Sequence, residues 1–149
     1  TGAGDLFVVR NAGNIIPTRH PETSGEIATL EFAVRALGTS HIVVCGHSDC
    51  GAMKGLLAPE KCASLSYVPA WVRESEEALA TIGSDLDPDT KLDRLIEANV
   101  LLQIEKLRSL EFIQAAEAAG TLQLHGWVFN IGGAAIKELA VGASETGAA

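Results

Sequence analysis

The chain has 149 residues, enough for one domain (1–149) with a real hydrophobic core, and its net charge of −8 without any basic stripe argues against a nucleic-acid partner. Apolar residues make up 47% of it, yet no run approaches the roughly eighteen that a membrane-spanning helix needs, so no membrane partner is expected. Three cysteines, an odd number, and no charged-then-apolar leader point to a reducing compartment: the cytoplasm, an organelle stroma or a bacterial microcompartment.

Leu6–Arg10 (LFVVR) is a near-continuous apolar run, which predicts a strand covered on both faces, with Arg10 at its solvent-facing end. Asn11–Asn14 is a turn containing Gly13, and Ile15–Ser24 is a loop broken by Pro17 and Pro21, with His20 exposed. Glu26–Leu37 carries Ile27, Leu30, Val34 and Leu37 on one helical face, and Gly38 stops it. That helix would join two parallel strands, Leu6–Arg10 and His41–Cys45, by a right-handed crossover. His41 and Cys45 read as structural residues in or beside a buried strand, Cys45 being the nearest further sulfur to the turn that follows.

That turn is the informative stretch. His47 and Cys50 stand three residues apart in GHSDCG, after an apolar strand and before a short helix at Gly51–Leu57 ended by Pro59. The carboxyl end of a strand is where open α/β sheets place their chemistry, and imidazole with thiolate is a donor pair that suits zinc. The same spacing also fits a helix-initiating turn with a satisfied His and a buried thiol. Lys54 reads as part of a solvated face, and the G-x-x-x-x-G-K-[ST] phosphate cradle is not met.

Cys62 falls in a loop as an incidental thiol, and Pro69–Ile82 reads as one helix. Asp87 caps a longer helix begun by Pro88, whose apolar stripe runs through Leu92, Leu95, Ile96, Val100, Leu101, Ile104 and Leu107, with Asn99 interrupting its polar flank. Glu111–Ala119 is a short helix stopped by Gly120. Leu122–Phe129 is a final strand in which His125 is packed rather than ligating, and Ile136–Val141 fits an edge strand or a short helix. Gly142–Ala149 is small and polar, and fraying is expected there.

The combination of GDLFVVRNAGN (4–14), GHSDCG (46–51), EANVLLQIEKL (97–107) and HGW (125–127), in this order, resembles the β-class carbonic anhydrases over nearly the whole chain. The resemblance implies an α/β fold with a mostly parallel sheet flanked by helices. It implies reversible hydration of CO₂ to bicarbonate at a zinc ion, in a homodimer or higher homo-oligomer. Two of the family's three zinc ligands, a His and a Cys, match His47 and Cys50. The other Cys belongs to a C-x-D-x-R motif upstream of the GDLFVVRN segment, and no such motif occurs in Thr1–Ala149.

The chain therefore reads as a member shortened at its N-terminus, without the first helix and strand and without the catalytic Asp–Arg pair. Arg10 and Gly51 become candidates for the substrate pocket or subunit interface. Arg10 matches an Arg that in some members helps bind a regulatory bicarbonate, but the late strand has Phe129 where that site uses Tyr. Two other functions fit the same residues: a zinc hydrolase of carbonyl sulfide or carbon disulfide, and a non-catalytic oligomeric α/β module.

Overall fold

The computed structural model describes residues 2–142, so the expected fraying of Gly142–Ala149 lies almost wholly outside the described residues. Three strands make the sheet in the order β1 (His41–His47), β2 (Gln123–Asn130), β3 (Ala135–Leu139). β1 and β2 are parallel, with Ile42 opposite Leu124 and His47 opposite Phe129. β3 returns antiparallel to β2, which settles the 136–141 segment as an edge strand. The chain crosses from β1 to β2 through α2 (Gly51–Leu57), α3 (Val68–Val72), α4 (Glu76–Leu79), α5 (Pro88–Arg108) and α6 (Glu111–Ala118).

β1 alternates strictly. Ile42, Val44 and Gly46 are buried, whereas His41, Val43, Cys45 and His47 face outward. The buried side meets α5, where Val100, Ile104 and Leu107 join Ile42, Val44, Leu124, Ile113 and Phe112 in one apolar cluster. The fit is close: a Cβ on Gly46 would stand 2.9 Å from Val100 Cγ2, so glycine lets the strand lie directly on the helix. A second cluster holds Cys50, Met53, Leu56, Val72, Ala78, Leu95 and Ile96 between α2, α3, α4 and the first half of α5.

Five expectations are corrected. Leu6–Arg10 is not a strand covered on both faces: the run makes no ladder, and Leu6 and Val8 are 66% and 64% exposed. Apolar β-branched composition favours a strand only where a neighbouring strand offers its backbone, and among the described residues none pairs with this run. The expected crossover from it to β1 is therefore not formed. The helix that would have served it is present as α1 (Gly25–Glu31), capped by the Ser24 side chain. It widens into a π turn at Phe32–Ala36 before Gly38, whose φ of +67° ends it.

His41 and Cys45 are exposed rather than enclosed, because only one face of β1 is covered. Cys62 is buried in a 3₁₀ turn at Pro59–Cys62, its thiol donating to Pro59 O at 3.4 Å. Pro69–Ile82 is not one helix: α3 and α4 are separated by a 3₁₀ turn at Arg73–Ser75. The break lies where Glu74 and Ser75 are drawn inward. The Glu74 carboxylate meets Arg19 at 3.0 Å and Lys106 at 3.1 Å, and its carbonyl accepts from Lys106 Nζ at 2.5 Å. The Ser75 hydroxyl lies 3.4 Å from Gln103 Nε2.

Candidate functional site

β1 delivers His47 to the carboxyl edge of the sheet, and the chain turns there through Ser48 and Asp49 into Cys50. Ser48 is fixed to the end of β2 by two bonds. Its N–H donates to Phe129 O at 2.9 Å, and its hydroxyl accepts from the Ile131 N–H at 3.0 Å. Asp49 takes a left-handed φ of +62° and pairs with Lys54, so Lys54 has a local partner as well as a solvated position. Cys50 is the residue before α2 and is buried, 3% exposed, among the apolar side chains of the second cluster.

The tautomer of His47 follows from its contact. Nδ1 lies 2.8 Å from the Ser48 carbonyl oxygen. A carbonyl only accepts, so Nδ1 carries the proton and Nε2 keeps its lone pair. An exposed imidazole with its other nitrogen held on a backbone carbonyl is oriented as a metal-ligating histidine is.

Behind this turn lies a polar assembly that the sequence reading did not identify. The Asn11–Ile16 loop is fastened along its length. The Asn11 side chain bonds Ile15 in both directions at 2.8 Å, and Trp71 Nε1 donates to Ala12 O at 2.7 Å. Asn99 Nδ2 donates to Gly13 O at 2.9 Å, and Gln103 Oε1 accepts from the Ile16 N–H at 2.8 Å. Gln103 Nε2 in turn donates to Asn99 Oδ1 at 2.9 Å. Both amides are fully buried.

The fastened loop packs on the turn. A Cβ on Gly13, where φ is +84°, would stand 3.0 Å from Ala52 Cβ in the first turn of α2. Asn14 lies against Gly46, and its Nδ2 is buried without a hydrogen-bond partner. Thus α5 positions the loop, and the loop abuts both sides of the His47–Cys50 turn. The signal was available: Asn99 and Gln103, four apart, fall within the apolar stripe of α5 and not on its polar flank.

The remaining expected site residues are less engaged. Arg10 is exposed and makes no ion pair among the described residues. Gly51 is exposed, and a Cβ there would meet nothing within 4 Å. Phe129, next to last in β2, lies opposite His47 and is 37% exposed. Cys45 shares the outward face of β1 with His47. Partial burial raises its thiol pKa, the backbone of Phe129 offsetting part of the rise, and the thiol donates weakly to Gly46 O at 3.5 Å.

As a metal site, the turn fits in kind and falls short in number. His47 offers a free Nε2 and Cys50 a sulfur, but among the described residues no three His, Cys, Asp or Glu side chains converge. A catalytic zinc takes three protein ligands. Cys45 therefore does not complete the set.

A family model described as carbonic anhydrase matches residues 1–136. A carbonic anhydrase of Pseudomonas aeruginosa is 43% identical over 133 residues, which cover 86% of this chain and 59% of that protein. One from Synechococcus elongatus is 38% identical, over 88% of this chain and 50% of its own length. The chain thus spans about half to three fifths of these curated relatives. Among solved structures, the β-carbonic anhydrase CcaA superposes with a TM-score of 0.87 at 36% identity, covering 93% of this chain and 69% of that one. A tetrameric β-carbonic anhydrase of Sordaria macrospora gives a TM-score of 0.79 at 33% identity, over 96% and 72% of the two chains.

Proposed function

Since this chain belongs to the β-class carbonic anhydrases, we propose that His47 and Cys50 are two ligands of a zinc ion at which CO₂ is reversibly hydrated to bicarbonate. The observation that carries the reading is the 2.8 Å contact of His47 Nδ1 with the Ser48 carbonyl, which leaves Nε2 as a ready donor three residues before a buried thiol. Zinc, when bound, supplies the Lewis acidity that makes water a usable nucleophile near neutral pH.

What the chain's own residues contribute is orientation. Ser48 is held to β2 from both its amide and its hydroxyl, so the imidazole is fixed relative to the sheet. Cys50 is held by the apolar packing of α2 against α5, which keeps competing water from its sulfur. The fastened Asn11–Ile16 loop backs the turn, so that neither ligand can swing as a free loop residue would. A zinc-ligating thiol also belongs in a reducing compartment, which is part of the proposal.

Stopped-flow hydration of CO₂ tests the reading. Zinc-bearing protein purified from its own source is expected to accelerate hydration well above buffer, and no acceleration would contradict the assignment. The 149-residue chain by itself is expected to be very slow, because the described residues bring together no third ligand. Fast hydration by it alone would mean that other residues complete the set.

The proposal includes self-association. Leu6, Phe7 and Val8 are at least half exposed, and Phe129 and Ile136 add apolar area on the outward side of the sheet. Large apolar side chains left in water in this number are a common mark of a surface that a partner covers. A related structure is described as tetrameric, in keeping with a homo-oligomer. Light scattering over a concentration series should show association, weakened by Phe7→Ser with Val8→Ser. A concentration-independent monomer would refute it.

A further inference from the structure

The outward face of the sheet carries a second pair of metal-capable nitrogens, at the opposite end of β1 from His47. Six residues of extended chain separate His41 from His47, about 20 Å. On the β1–β2 ladder His41 lies opposite Gln123, and His125 lies opposite Val43, so the two histidines are diagonal neighbours on one face. Their rings meet by their nitrogens: His41 Nδ1 is 3.1 Å from His125 Nε2, with ring centroids 5.3 Å apart and planes tilted by 41°.

We propose that His41 Nδ1 and His125 Nε2 form a chelating site for one divalent transition-metal ion of the zinc or nickel class, with water filling the remaining positions. The spacing is the first argument. Two nitrogens each 2.0–2.1 Å from a tetrahedral ion stand about 3.3 Å apart. Adjacent ligands of a square or octahedral ion stand about 2.9 Å apart. The observed 3.1 Å lies between the two, so an ion takes the place of the shared proton, which moves to the solvent-facing Nε2 of His41, with a modest rotation of the rings.

The second argument is the carboxylate on β3. Glu138 Oε1 lies 3.8 Å from Nδ1 of His125, the nitrogen that faces away from His41. At that distance the carboxylate makes no hydrogen bond, but its charge favours the proton on Nδ1 and leaves the Nε2 lone pair directed at His41. Access is the third. His41 is exposed, and the His125 side chain is 27% exposed, so an ion reaches the pair from solvent. The strand ladder holds both Cα positions, so little ordering is lost on binding.

This site is independent of the His47–Cys50 assignment, and the test keeps the two apart. Zinc(II) is titrated calorimetrically into the protein, into His41→Asn and into His125→Asn. The same titrations are repeated with His47→Ala and Cys50→Ser also present. One zinc-binding event is expected to survive the double change at the turn, to weaken more than about 100-fold in either histidine variant, and to weaken about 10-fold in Glu138→Gln. Should a variant fold poorly, ¹⁵N-resolved spectra of the unmutated protein decide the matter. Zinc should shift His41 Nδ1 and His125 Nε2 to metal-bound values, with His125 Nδ1 remaining protonated and the proton of His41 found on Nε2. Binding that is indifferent to both histidines, or no shift at these two nitrogens, would show the pair to be a hydrogen bond and nothing more.

Discussion

Replacing His47 by Ala should remove the zinc held at the turn and lower CO₂ hydration more than about 100-fold, since the loss of an outer-shell partner alone typically costs 10–100-fold in affinity or activity. No other imidazole can substitute. His41 and His125 lie at the far end of the strands, bonded to one another, and His20 is in an exposed loop. Cys50→Ser should do the same, with an added signature: a hydroxyl in a pocket built from Met53, Leu56, Val72 and Leu95 is a poor zinc donor and a mild packing defect. Metal content by elemental analysis, with activity on the same samples, checks both. Retention of zinc at wild-type stoichiometry in the doubly substituted protein would defeat the assignment.

The second large effect is expected from Gln103→Leu. The native amide accepts from the Ile16 N–H and donates to Asn99, and both contacts are buried. A leucine is close in size but leaves a main-chain donor and the Asn99 oxygen without partners. Each buried orphan costs about 1–3 kcal/mol, so the fold should lose roughly 2–6 kcal/mol, seen as a lower urea midpoint at unchanged slope. Asn99→Leu should cost a similar amount through the Gly13 carbonyl. Because the two amides bond each other, the double variant should cost less than the sum of the single ones. Strict additivity would show that they act separately.

The parts of this protein that could be read from its sequence are those governed by local chemistry. The Asp87–Pro88 start of α5, bonded through Thr90 N at 3.1 Å, follows from capping. The span of α2 follows from GHSDCG and Pro59, and β2 from its alternation. The site turn was readable because a His and a Cys after a short apolar strand form a pattern with few uses.

What stayed hidden depends on neighbours distant in sequence. Leu6–Arg10 has the composition of a buried strand, and composition cannot report whether a backbone partner exists. The break between α3 and α4 is set by Arg19, Gln103 and Lys106, each 28 or more residues from its partner in Glu74 or Ser75. Asn99 looked like an interruption of a polar flank because its acceptor, Gly13 O, is 86 residues away. The His41–His125 pair needed the strand register, which brings together positions 84 apart.

The measurement that bears most directly on the central assignment is zinc X-ray absorption on the protein purified from its own source, compared with His47→Ala. A sulfur shell at about 2.3 Å and a nitrogen shell at about 2.0–2.1 Å are predicted for the unmutated protein, with the sulfur shell and the His47 share of the imidazole scattering lost in the variant. A spectrum without an imidazole contribution, or one unchanged by His47→Ala, would contradict the account.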